Sequence, residues 1–388
     1  MRKVIYISYE PLTNSIYNHF YINVLKSENI VVEYWDLSSL FFETSIFKSN
    51  LNSNIIIKIM SRDDLKEQVR NNQDEDAIFI TLMTYEWSNI WLFRILKRYK
   101  CYCAFFNRPG LPAPKSVKKQ NIVSYLDKNT INRIIAGLTN KLAIILKKVG
   151  YVNDPDIMFS SGSHAIENSK NIRNIIQVNH FDYDNAMLLN RSNDRERNKN
   201  KKYIIFLDEN TPYHPDFKML GMNIIDSKEY FDGLNRFFDL VEKKWDKRIL
   251  IAAHPSSNYK NDEFDKREII KYRTSELVKD CHFTLAHGST SISFPVLYSK
   301  PIMFLYNNQF KAFYSFSTLR WIFNLSNILG GSIYNVDAVT QSSELYLNDI
   351  DVLAYKKYKY SYLTNLMTEN KLSSDLFINY LKSSGSKL

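Results

Sequence analysis

Between Arg248 and Tyr306 the chain alternates short apolar runs with loops of small and hydroxyl residues, a pattern that leaves few folds open. The run Arg248-Ile-Leu-Ile-Ala-Ala-His254-Pro255-Ser-Ser is apolar and closes on a turn-forming dipeptide, as suits a buried parallel strand with His254 at its carboxyl end. Thr274–Asp280 predicts a short helix whose first hydroxyl caps it, and Cys281–Ala286 predicts a strand that runs into His287-Gly288-Ser289-Thr290-Ser291. A helix over Ile292–Ser299, with Pro295 near its first turn, and a strand over Lys300–Tyr306 complete the series. Strand, helix, strand, helix, strand is the signature of a parallel α/β sheet.

In such a sheet, ligands gather outside the carboxyl ends of the strands, where unpaired N–H groups face anions. Both loops lie there. Gly288 allows close backbone approach to a phosphate, Ser289, Thr290 and Ser291 supply hydroxyls, and His254 with Pro255 places an imidazole beside the same oxygen. His287 is a secondary candidate for that contact. A second constellation, Phe206-Leu-Asp208-Glu209-Asn210-Thr-Pro-Tyr-His214-Pro-Asp216, puts two acids at the end of another strand. Transfer of a group to a hydroxyl needs a base to take the hydroxyl proton, and Asp208 is the first choice, with Glu209 beside it and His214 and Asp216 as further candidates. Each residue also has a structural role open to it: an Asp at a strand end commonly caps a turn, and a Ser or Thr commonly caps a helix.

At these residues the chain resembles bacterial sialyltransferases and related capsule and O-antigen transferases of GT-B architecture. The His254-Pro255 pair and the later Ser289-Thr290 pair carry the likeness over roughly the last half of the chain. Thr274-x-Glu276-Leu277, Gly288-Ser289-Thr290 and Lys300-Pro301-Ile302 are also similar to the wider group that includes polyol-phosphate transferases. The acid pair departs from the sialyltransferase signature in one respect: Asn210 stands where that signature has Gly. The resemblance implies two Rossmann-like parallel-sheet domains facing a cleft. It also implies transfer of a sialic-acid-like (nonulosonic) or Kdo-like sugar from a CMP donor to a lipid-linked surface-polysaccharide acceptor. On that reading Asp208, Glu209 and His254 are catalytic, while Thr274, Glu276 and Gly288 to Ser291 hold the nucleotide and its phosphate. A CDP-polyol phosphotransferase, a nucleotide-sugar epimerase and a non-catalytic nucleotide- or RNA-binding protein are the alternatives.

The rest of the chain sets bounds. Its 388 residues exceed the usual single core and suggest two domains. Strands are expected at Lys3–Tyr9, Val31–Leu37, Asn54–Met60, Ala77–Met83, Tyr102–Asn107, Asp156–Ser161 and Tyr203–Leu207, with helices at Thr13–Lys26, Arg62–Asn71 and Trp87–Tyr99. A long helix over Thr130–Val149 carries an apolar face of Ile131, Ile134, Ile135, Leu138, Leu142, Ile145 and Leu146. The polar stretch 190–202 is the expected linker between an acceptor-side domain, 1–189, and a nucleotide-sugar domain, 203–345; helices over 346–388 are expected to pack back on the first domain. Asp226-Ser-Lys-Glu229 reads as a capping box.

Three cysteines, Cys101, Cys103 and Cys281, do not make a disulfide framework, and no apolar run reaches membrane-spanning length, so a cytoplasmic, peripheral protein is expected. The net charge of +10 is spread along the chain without a basic arm, which argues against nucleic acid and for salt-sensitive contact with an anionic membrane. The triplets Asp182-Tyr-Asp184 and Asp349-Ile-Asp351 fall near the linker and in the tail. No metal or other cofactor is expected.

Overall fold

The computed structural model describes residues 3–42, 51, 53–73, 76–112, 128–167, 172, 174–192, 203–213, 225–260, 262–313 and 317–384. The chain divides into two compact units, one of Met1–Arg108, Leu126–Phe181 and Asn365–Leu388 and one of Pro109–Tyr125 and Asp182–Thr364. Residues 193–202 of the expected linker lie outside the described residues.

The first unit is built on a parallel sheet of seven strands: β1 (Lys3–Ser8), β2 (Val31–Asp36), β3 (Ile56–Lys58), β4 (Ala77–Thr81), β5 (Cys103–Asn107), β6 (Ile157–Ser161) and β7 (Asn174–Val178). Their order is β3-β2-β1-β4-β5-β6-β7. Because helices cover both faces, β1 and β4 are apolar along their length and bury nearly every residue. The helix expected over Thr13–Lys26 is two helices, Asn14–His19 and Ile22–Ser27, broken where Tyr21 takes a left-handed φ of 62°. The last helix, Ser373–Ser384, belongs to this unit: Phe377 is buried against Phe159 (4.9 Å), and the Ser373 hydroxyl accepts the Asn179 amide at 2.8 Å.

The helix Lys128–Lys148 differs from its sequence pattern in orientation. Ile135, Leu138, Leu142 and Ile145 are exposed, and among the described side chains of the helix Ala143 is the buried one. The side toward the protein is fixed by polar contacts: Tyr85 donates to the Ala143 carbonyl and the Trp87 amide to Asn140 Oδ1, both at 2.9 Å. Apolar periodicity finds a face without saying what covers it.

The second unit holds six parallel strands: β8 (Tyr203–Leu207), β9 (Arg248–Ala253), β10 (Ile269–Lys271), β11 (Thr284–Ala286), β12 (Ile302–Tyr306) and β13 (Ser332–Asn335). The order is β10-β9-β8-β11-β12-β13. The chain therefore builds outward from β8 to β10, crosses over, and builds outward again from β11 to β13. The reversal lies between β8 and β11, the position at which open α/β sheets leave a crevice at their carboxyl edge. Asp226 caps the helix Ser227–Trp245 by accepting the Glu229 amide at 2.8 Å. That helix buries Tyr230, Phe231, Leu234, Phe237, Phe238 and Val241. Phe238 meets Phe206 of β8 edge-on at 5.2 Å, and burial of each such ring contributes roughly 1.5–3 kcal/mol. The floor beneath the strand ends is thus closely packed and aromatic.

Candidate functional site

Three segments far apart in sequence end side by side because β8 lies between β9 and β11. β8 runs into Asp208-Glu209-Asn210, β9 into His254-Pro255, and β11 into His287 to Ser291. Asn210 takes a left-handed φ of 53°. Asn is among the few residues other than Gly that adopt this region readily, so the loop keeps the turn that Gly would give. Among the described residues, Asn210 Oδ1 is also buried without a hydrogen-bond partner, an acceptor whose burial costs about 1–3 kcal/mol unless water or a ligand meets it.

Asp208 is buried and tied into the loop by three hydrogen bonds. Oδ1 accepts the Asn210 amide at 2.9 Å, and Oδ2 accepts the His254 amide at 3.1 Å and the Tyr259 hydroxyl at 2.6 Å. Burial raises its carboxyl, and these donors draw it part of the way back. The phenol of Tyr259 is pushed well above its ordinary value by burial and by Asp208, so it remains a donor. The carboxylate bridges the ends of β8 and β9.

Glu209 is placed differently. Its Oε1 accepts the Gly288 amide at 2.6 Å, across the β8–β11 crevice, and no other hydrogen bond holds it among the described residues. Burial, with Asp208 beside it, pushes its carboxyl up to about 7 against the pull of that amide. A carboxylate oxygen therefore stands on the N–H that the sequence pattern assigns to a phosphate.

His254 contributes its backbone to Asp208 and its ring to the loop. Nδ1 accepts the Ser256 amide at 3.2 Å and lies 2.7 Å from the Ser256 hydroxyl, which leaves the ring proton of the neutral imidazole on Nε2. His287, by contrast, is turned into the core. Its Nδ1 donates to the Leu305 carbonyl at 2.6 Å, so Nε2 is the acceptor for Tyr230, whose hydroxyl lies 2.9 Å away. Burial lowers this imidazole to about 4.

This shift gives a stability prediction. A histidine held neutral in the fold contributes stability that is present above its unfolded pKa of about 6.5 and is lost as pH falls toward its folded value. The advantage of the wild-type chain over His287→Gln in urea unfolding should therefore shrink between pH 7.5 and pH 5, since Gln does not titrate. An advantage independent of pH would show that the imidazole is not held neutral.

In the small-residue loop, Ser289 caps the following turn by accepting the Ser291 amide at 3.1 Å, and Thr290 is exposed. Gly288 has no left-handed φ, and a Cβ placed there would meet only Ile322 at 3.9 Å, an ordinary contact. Behind the loop, Ser293 donates to Asp182, which is buried on the helix Phe181–Ser192. Sequence reasoning set the Asp182 triplet aside as a metal pattern and did not find this anchoring contact; no local signal marks it.

The remaining candidates are not joined to this group. Thr274 is the first residue of the helix Thr274–Asp280 and does not cap it, since Arg273 occupies the cap position without a side-chain bond. Glu276 pairs with Arg273 at 2.7 Å. Among the described residues, no hydrogen bond links Thr274 or Glu276 to Asp208, Glu209, His254 or Gly288. His214 and Asp216 lie outside the described residues. Asp351 caps the helix Val352–Tyr358 through the Ala354 amide. Among the described residues, no group of three or more His, Cys, Asp or Glu side chains is placed to hold a metal ion.

The first unit has a cavity of its own, about 480 Å³, lined by Thr81 at the end of β4, Met83 and Tyr85 after it, Phe105 and Asn107 on β5, and Lys147. It contains none of Asp208, Glu209, Asn210, His254 or residues 287–291.

No protein-family model matches the chain, and no curated protein matches it in sequence. Solved structures do match. A structure of the wall teichoic acid polymerase TagF, soaked with CDPG, aligns over 99% of this chain and 90% of that chain, with 15% identity and a TM-score of 0.54. A second TagF variant aligns over the same shares at 14% identity and a TM-score of 0.53. A UDP-GlcNAc 2-epimerase from Methanocaldococcus jannaschii, in complex with UDP-GlcNAc and UDP, aligns over 99% and 100% at 13% identity and a TM-score of 0.48. The likeness to TagF is one of fold. It extends over both parallel-sheet units and is not confined to the second, on which the sequence resemblance rests.

Proposed function

We propose that the second unit binds a cytidine-nucleotide donor and that the chain is a glycosyltransferase moving a nonulosonic or Kdo-like sugar to a lipid-linked surface-polysaccharide acceptor. The observation that carries this reading is the Glu209 carboxylate on the Gly288 amide at the reversal of strand order. An anionic oxygen is already favoured there, and donor phosphate is the natural replacement for it. Once displaced, Glu209 is a carboxylate whose burial favours taking a proton, beside the leaving group and held by no other hydrogen bond among the described residues. The base role thus moves from Asp208, the choice from sequence, to Glu209, because the Asp208 carboxylate already receives three donors that shape the loop.

In the transfer, the acceptor oxygen forms a bond to the anomeric carbon as the bond from that carbon to the phosphate oxygen breaks. Glu209 takes the acceptor proton. His254 Nε2–H donates to the phosphate as CMP leaves, and the amides and hydroxyls of 288–291 share the remaining charge.

Two observations favour a CMP leaving group. No Lys or Arg occurs from Ala252 to Asn258 or from Ala286 to Ser299, and Lys271, which reaches the first loop from β10, donates to the Ser257 carbonyl. A single phosphate suits a pocket of one imidazole, hydroxyls and amides better than the two phosphates of a UDP or GDP product. The second reading, a CDP-polyol phosphotransferase, is favoured by the fold likeness to the CDPG-soaked polymerase. Attack on the distal phosphorus of a CDP-polyol also expels CMP, so the same pocket serves both reactions.

Thermal unfolding with CMP, CDP, UDP and GDP and no divalent cation tests the proposal. CMP should protect most, by about 2.7 kcal/mol at a hundredfold excess over its dissociation constant. Equal protection by UDP, or protection only with magnesium or manganese, would sink it. Turnover of a CMP-linked acid sugar against a CDP-polyol then separates the two reactions.

A further inference from the structure

The helix Lys128–Lys148 turns an apolar stripe to solvent. Ile135, Leu138, Leu142 and Ile145, with Val149 just past the end, recur at alternating steps of three and four residues, and their exposure runs from 50% at Leu142 to 72% at Val149. Such spacing places them on one side of the helix, opposite Ala143 and Asn140, which meet the protein. A contiguous exposed stripe of large aliphatic residues is uncommon on a soluble surface unless something covers it.

Charge says what covers it. The helix carries Lys128, Arg133, Lys141, Lys147 and Lys148 and no acidic residue. At helical spacing, Lys141 and Lys148 border the stripe, roughly 80–100° from its centre, where long side chains can keep their ammonium groups at the edge of an apolar layer. Both are exposed, whereas Lys147 turns inward to Asp154 at 2.7 Å and over the Tyr85 ring. Past the helix end, half-exposed Tyr151 lies under the Arg94 guanidinium (4.6 Å), with Arg98 and Lys100 also exposed nearby in the chain. Aliphatic stripe, bordering lysines and a terminal aromatic with arginine are the components of a helix lying in a lipid–water interface.

We infer that this helix lies flat on an anionic bilayer surface, its stripe in the outer acyl region and its lysines among the phosphates. A second copy of the chain is the competing occupant, and the 3-4 spacing would allow it. Two such helices, however, would bring Lys141 and Lys148 of one copy against those of the other, without one acid on either helix to offset them. Among the described residues, no helix is long and apolar enough to cross a membrane. The contact is therefore parallel to the surface, along a helix roughly 31 Å long. The inference does not depend on the catalytic reading.

Flotation of the full chain with vesicles of phosphatidylcholine, alone or with an equal part of phosphatidylglycerol, tests it. The wild-type chain should float with the anionic vesicles, and a fraction should stay bound at about 1 M salt, where charges are screened within about 3 Å. The triple variant Leu138→Ser/Leu142→Ser/Ile145→Ser should lose the salt-resistant fraction and partition at least about tenfold less. Its circular dichroism and unfolding temperature should not change, because these side chains already face water. Full release of the wild-type chain by salt would overturn the inference in favour of a purely electrostatic contact. So would unaltered flotation of the variant, or a dimer in light scattering that the same substitutions dissolve.

Discussion

Replacing Glu209 with Gln is expected to lower turnover by about 10²–10⁴ while leaving CMP affinity intact or raising it. The first half follows from losing the base. The second follows from the Gly288 amide: a carboxylate on that N–H competes with an incoming phosphate, and a neutral amide oxygen competes less, since charge-assisted hydrogen bonds are the stronger kind. The pH profile supplies a further readout. With its carboxyl near 7, Glu209 must be ionised to accept a proton, so the wild-type rate should fall as pH drops below about 7, and that limb should vanish in the variant. Asp208→Asn provides the contrast. Its amide group would confront at least one of the N–H or O–H donors that now meet the carboxylate, disturbing the loop and weakening nucleotide binding along with rate. Should Asp208→Asn keep donor affinity and lose only turnover, while Glu209→Gln turns over normally, the base is Asp208.

The proposed exchange of roles between these neighbouring acids rests on features that sequence reasoning does not reach. Strand ends at Leu207, Ala253 and Ala286 were legible because buried parallel strands are apolar throughout and their loops are not. The strands that escaped notice, β7, β10 and β13, lie at sheet edges, where one side lacks a partner strand and the apolar run is short or interrupted. The order of strands was not legible at all. Only that order puts Glu209 opposite Gly288, residues 79 apart in the chain, and turns His287 inward to Leu305 rather than outward to a ligand. Asn210 is the converse case: its residue type looked like a departure from a Gly pattern, and its left-handed φ shows the same turn made by the next most permissive residue. The exposed helix Lys128–Lys148 makes a related point, since a stripe at helical spacing is the same in sequence whether it meets a core or a lipid surface.

His254→Ala should cost about 10²–10⁴ in turnover and leave the fold unchanged, because the part of His254 that organises the loop is its backbone. The amide that meets Asp208 survives the substitution; only the ring is removed. That ring sits in a fixed orientation: the Ser256 amide and hydroxyl both meet Nδ1, which keeps the proton of the neutral form on Nε2. An imidazole oriented in this way at a strand end can donate a hydrogen bond from Nε2–H to a phosphate oxygen as negative charge develops there when the sugar–oxygen bond breaks. The effect should therefore appear in the chemical step, measured by single turnover, more than in CMP affinity. Ser256→Ala should act in the same direction and by less, since the Ser256 amide remains to hold Nδ1. Near-full transfer by His254→Ala, or a loss confined to CMP binding, would remove His254 from the leaving-group role and leave the 288–291 loop to stabilise the departing phosphate alone.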